Sequence, residues 1–98
     1  MRADFAMSLP ERRAAFDEAW RALTVSDWSP VGLDAAHRVV HSLAGACETF
    51  GFAALGQAAR ALNDTLHGMT VAAGAPDDDA RAMATRQRSV LRQAFDDA

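Results

Sequence analysis

Phe52, Leu55, Ala59, Leu62, Leu66 and Met69 follow one another in steps of three and four without a miss. At 3.6 residues per turn, such spacing lays all six side chains along one side of a helix. A helix with a single apolar seam has to be covered by other helices. The rest of the chain therefore has to supply the cover, and its composition can. Ala, Leu and Arg are abundant, three prolines and six glycines interrupt 98 residues, and no period-two run is long enough for a strand.

Three further helices are predicted around that seam. Ser8 stands before Leu9, Pro10 and Glu11, a capping-box pattern. Phe16, Ala19, Trp20 and Leu23 then form one stripe, so the first helix is expected from about Ser8 to Leu23, with residues 1–7 loose. A second helix begins near Pro30 or Leu33 and carries Leu33, Ala36, Val40, Leu43, Ala44, Cys47 and Phe50 on its apolar face. Gly51 supplies its stop. The seam helix ends before Ala72–Pro76, and the run of aspartates at 77–79 opens a fourth helix with charge suited to a helix N-terminus. Ala80, Met83, Gln87, Val90, Leu91 and Ala94 are its expected inner face, with Arg81, Arg86, Arg88 and Arg92 mainly off it. Four amphipathic helices with short joints predict an all-α fold, an antiparallel up-down four-helix bundle forming one domain over residues 1–98.

Charge and residue types narrow the function. The net charge is −3, against nucleic-acid binding. All ten basic residues are arginine, so neither a Schiff-base lysine nor a phosphate-loop lysine is present. The one cysteine, Cys47, lies on an apolar face and reads as a buried thiol. No signal-peptide-like or membrane-spanning apolar run occurs, and a cytoplasmic monomer is expected.

On the second helix, Asp34, His37, His41, Gly45 and Glu48 fall together, roughly 80–160° from the centre of the apolar stripe. Histidine at such a rim is a competent nucleophile for phosphoryl groups, because its neutral form is populated near neutral pH. Gly45 is the odd residue: a mid-helix glycine costs about 1 kcal/mol relative to alanine. It fits either close packing of the second and third helices or an opening for a partner beside His41.

The segment His41–Gly51, "HSLAGACETFG", resembles the phosphorylation-site segment of histidine-containing phosphotransfer (HPt) domains. His41, Leu43, Gly45, Ala46, Cys47, Phe50 and Gly51 match that pattern in register, and the resemblance extends over about Ala36 to Leu66. It implies a phosphorelay intermediate. His41 would accept a phosphoryl group from the phospho-aspartate of a receiver domain and pass it to another receiver aspartate. The chain itself would be no kinase, and Mg²⁺ would belong to the receiver. The family often has lysine three residues after the histidine, where this chain has Ala44. Arg38, one turn before His41, and Asn63, across on the third helix, are the alternative groups to hold the phosphate. His37 and Ser42 complete the expected support, and Asp34, Glu48 and His67 the expected docking rim.

Two other functions fit parts of the pattern. One is an HPt-like docking module that is not phosphorylated. The other is a metal-binding bundle built on the His37/His41 pair, which lacks further ligands at a suitable spacing and has no H-E-x-x-H.

Overall fold

The computed structural model describes residues 2–72 and 74–98, with side chains from Phe5 onward. Ala73, inside the expected break after the third helix, lies outside the described residues, as does Met1 of the expected loose terminus. The described residues form four helices and no strand: α1 Arg2–Val25, α2 Pro30–Phe50, α3 Ala53–Val71 and α4 Asp78–Asp97. Each packs on its neighbour in the chain, and α1 and α4 meet along a thinner seam. The arrangement is an up-down antiparallel four-helix bundle, 41 × 20 × 19 Å.

The connections explain themselves residue by residue. Ser29 caps α2, its hydroxyl accepting from the Gly32 N–H at 3.0 Å, with Pro30 as the first helical residue. Gly51 closes α2 at φ 79°, and the N–H groups of Gly51 and Phe52 both donate to the Cys47 carbonyl, at 2.9 and 3.0 Å. The chain re-enters a helix at Ala53. Asp77 caps α4 by accepting from the Ala80 N–H at 2.8 Å. The α1–α2 turn uses two non-glycine residues at positive φ, Asp27 at 55° and Trp28 at 60°. That conformation costs energy. Burial of Trp28 edge-on against Trp20, with the Arg81 guanidinium over its ring and bonded to Asp27 at 2.8 Å, offsets it.

The seam residues Leu55, Ala59, Leu62, Leu66 and Met69 are buried, as are Phe16, Trp20 and Leu23 of α1 and the α2 stripe from Leu33 to Cys47. Two expectations are corrected. First, α1 begins at Arg2, so residues 2–7 are helical and Ser8 is no cap; its hydroxyl donates to the Phe5 carbonyl at 2.6 Å, in mid-helix. The cause is long-range. Phe5 is buried, stacked on Phe50 at 5.0 Å and edge-on to Phe52 at 4.9 Å, so the extra turns hold the α2–α3 corner. Pro10 is carried inside the helix as a result.

Second, the inner face of α4 is rotated from the expected one. Ala84, Leu91 and Phe95 are buried, whereas Met83 and Val90 are exposed. Arg88 and Arg92 turn inward: Arg88 lies over the Trp20 ring, and Arg92 pairs with Asp17 at 3.4 Å. Guanidinium groups that stack and pair compete with short apolar side chains for the seam facing α1.

Replacing Phe5 by alanine should destabilise the bundle by about 2–3 kcal/mol, because a clustered aromatic is lost from a closed corner. Urea unfolding of the two proteins measures it; a loose terminus would leave the midpoint unchanged.

Candidate functional site

His41 projects from the middle of α2 into solvent, on the flank that faces α3. The tight Gly51 corner sets which residues of α3 stand opposite. The rings of His37 and His67 lie 5.4 Å apart, and that pairing puts residue 63 level with His41. Accordingly Asn63 lines the same small cleft as His41, together with Ala44, Gly45, Glu48 and Arg60. The cleft holds about 120 Å³, room for a phosphoryl-sized group at the surface and far too little for a cofactor.

The charges around it are pre-paired. Arg60 of α3 makes an ion pair with Glu48 of α2 across the cleft mouth. Both partners are more than half exposed, so the pair contributes little to stability and can be broken cheaply. Ala44 leaves the space beside His41 that Arg60 approaches; a longer side chain there would fill it. Sequence reasoning places Arg60 further out on α3 than Asn63 and His67; the structure brings it to the cleft mouth.

Arg38 is not brought to the cleft. Its Nε bonds Asp34 Oδ2 at 3.0 Å, one turn towards the N-terminus, and it lines a separate hollow with Ser42, Arg12 and Val39 on the α1 side. Asp34 borders a third hollow at the loop end of the bundle, of about 530 Å³, floored by Trp28, Leu33 and Met69. That larger hollow is two turns of helix from His41 and contains no histidine.

Histidines continue the site away from the cleft. His37 stands between the other two, 5.8 Å from the His41 ring and 5.4 Å from the His67 ring. Its pKa is lowered from the usual histidine value: burial dominates, and the neighbouring His67 and His41 add to it, against Asp34 and a hydrogen-bonding influence of Asn63. His37 is thus held neutral at neutral pH. Among the described residues no group of three or more His, Cys, Asp or Glu is arranged to hold a metal ion, so the three rings form a row and not a cage.

The two glycines near the site differ in kind. A Cβ added at Gly45 would meet nothing within 4 Å, so this glycine does not serve helix packing. A Cβ at Gly56 would stand 3.0 Å from the Cys47 Cβ, so Gly56 lets α2 and α3 approach closely there. At Gly45 the surface beside His41 is therefore bare backbone, with the Thr49 hydroxyl donating to the Gly45 carbonyl at 3.2 Å.

Comparison with known proteins agrees with this geometry. The family model described as "Hpt domain" matches residues 1–98. No curated protein and no solved structure matches the chain. Among the described residues no helix is long and apolar enough to cross a membrane.

The glycine contrast is measurable in thermal or urea unfolding. Gly45→Ala should stabilise by up to about 1 kcal/mol, the helix-propensity gain at an open site. Gly56→Ala should destabilise, because the added methyl presses on the buried Cys47. Equal effects at the two positions would show that neither site has the environment described.

Proposed function

The chain belongs to the Hpt domain family, whose members are phosphocarrier modules of phosphorelays and not kinases, and from that premise we propose that His41 is the residue that carries the phosphoryl group. One observation supports this above the others: His41 is exposed on a rigid helix beside Gly45, where nothing obstructs an approaching partner. Hpt domains interact with receiver domains. A receiver seated over α2 brings its phospho-aspartate to the imidazole in line. A neutral imidazole nitrogen of His41 attacks phosphorus as the bond from phosphorus to the aspartyl oxygen breaks, and the carboxylate leaves with the electron pair. The same steps in reverse pass the group to another receiver aspartate. Mg²⁺ and the acidic pocket are the receiver's contribution.

This chain contributes position and charge. His41 is fixed by the α2 backbone. Arg60 leaves Glu48 and pairs with the phosphoryl oxygens, the guanidinium fork being suited to phosphate. Asn63, level with His41, offers its amide to the same oxygens. Glu48 and His67 form the rim that a receiver meets, and Asp34, Ser42 and Arg38 lie beyond it. The proposed domain is the whole chain, since the bundle and the family match both run through it.

A labelled phospho-receiver tests the reading. Wild-type protein should take up label that is acid-labile and alkali-stable, and His41→Ala should take up none. Label that persists in His41→Ala overturns the assignment. Absence of label from wild type with retained receiver binding would make the chain a docking module. Gly45→Gln should fold and lose transfer, since its side chain occupies the approach.

Arg60→Ala should slow transfer by about tenfold, the loss of one charge-assisted bond to the phosphoryl group. Arg38→Ala should leave the rate unchanged. Equal losses in both would mean that net charge, and not the cleft, governs transfer.

A further inference from the structure

The row of three imidazoles has a use that phosphate carriage by His41 does not absorb. Resting on the assignment of His41 as the acceptor, we propose that His37 takes up a proton when His41 is phosphorylated and so supplies, one turn from the phosphoryl group, a positive charge that exists only in the phosphorylated state.

The geometry carries the argument. His37 is the middle ring of the row and the only one of the three that is partly buried. The groups that face it come from two elements: Asp34 and His41 on α2, and Asn63 and His67 on α3. Among the described residues neither α1 nor α4 sets a charged group against the ring. Arg38, the nearest guanidinium in sequence, is turned to Asp34. Beside His37 lies an acceptor: Asn63 Oδ1 is buried, makes no well-aligned hydrogen bond, and faces the ring so as to favour its protonated form. An acceptor left so costs stability until a donor reaches it. Imidazolium has an N–H donor on both ring nitrogens where neutral imidazole has one, so the protonated ring can donate to Asn63 without giving up a donor on its other side.

The sign follows from the neighbours. In the resting protein, burial and two flanking histidines oppose a charge on His37, which is therefore neutral at neutral pH. Phosphorylation replaces the repelling neighbour at His41 by a group of about −1.5 to −2 charge. The influence of His41, which ranks after burial and His67, thereby reverses direction, and the proton affinity of His37 rises. Since the phosphorylated state then binds a proton that the free state does not, acid favours the phosphorylated state over the interval between the two midpoints. An invariant lysine would give the same charge at all times; this arrangement gives it on loading.

The first measurement needs no partner protein. Phosphoramidate is used as donor: His41 attacks its phosphorus, the P–N bond breaks and ammonia leaves. Ring resonances of the isotope-labelled histidines are followed between about pH 6 and 8.5 in both forms, with His37→Gln and His67→Gln spectra giving the assignments. The His37 midpoint should rise by about one unit on phosphorylation, as expected for an opposite charge at this range. In receiver–carrier equilibria, the ratio of phosphorylated to free carrier should climb as pH falls, by up to about tenfold per unit. His37→Gln should lose that share of the slope while keeping its helicity. A midpoint that does not move while His41 carries phosphate overturns the proposal and leaves His41 as acceptor. Phosphate found on another residue overturns both.

Discussion

The contact of Gly56 with Cys47 fixes the relation of α2 to α3, and the site depends on it. Only where one helix lacks a Cβ can two backbones come this close, and the Gly51 corner allows no slack in the register. From those two constraints follow the pairing of His37 with His67 and the placement of Asn63 level with His41. A change of one residue in that register would rotate Asn63 and Arg60 out of the cleft by about 100° each. The apolar core of Val40, Leu43, Leu55, Ala59 and Leu62 beneath it is fully buried, so the site is a surface feature on a rigid base.

Much of this was legible in the spacing of residues. The α3 seam, the α2 start near Pro30, the Gly51 stop and the acidic opening of α4 are local signals, and the structure bears each of them out. What was not legible was settled by partners distant in the chain. Phe5 extends α1 because Phe50 and Phe52 receive it, and nothing near Phe5 announces that. The α4 face turned because Trp20 and Asp17 of α1 attract Arg88 and Arg92. Helical periodicity ranks residues by apolarity and so favours Met83 and Val90; it has no means of pricing a stacked guanidinium.

The site shows the same division. His41 and Gly45 stand out as a rim histidine and a costly glycine, and the structure removes the packing explanation of Gly45, whose surface is open, while Gly56 is the glycine pressed against α2. The choice among cations was beyond sequence. Arg38 is nearest in number, yet a helical side chain leans towards the N-terminus, and Asp34 is there to hold it. Arg60 is distant in number and near in space because α3 is antiparallel to α2.

A chain with no lysine meets a specific electrostatic problem in the proposed role. A carrier must hold a phosphoryl group firmly enough to keep it, and must return to a surface that the next phosphorylated receiver can approach. Fixed cations serve the first need and alter the second. Here the cation at the cleft, Arg60, is neutralised by Glu48 until something displaces that partner, and His37 is kept neutral by burial and by the other histidines. Both charges are latent in the empty protein. In the proposed role, an incoming dianion would compete with Glu48 for the guanidinium and raise the proton affinity of the imidazole, so the positive field would develop in answer to the load. Because each element is individually weak, none of it would trap the phosphate in that role, which keeps the proposed onward transfer reversible.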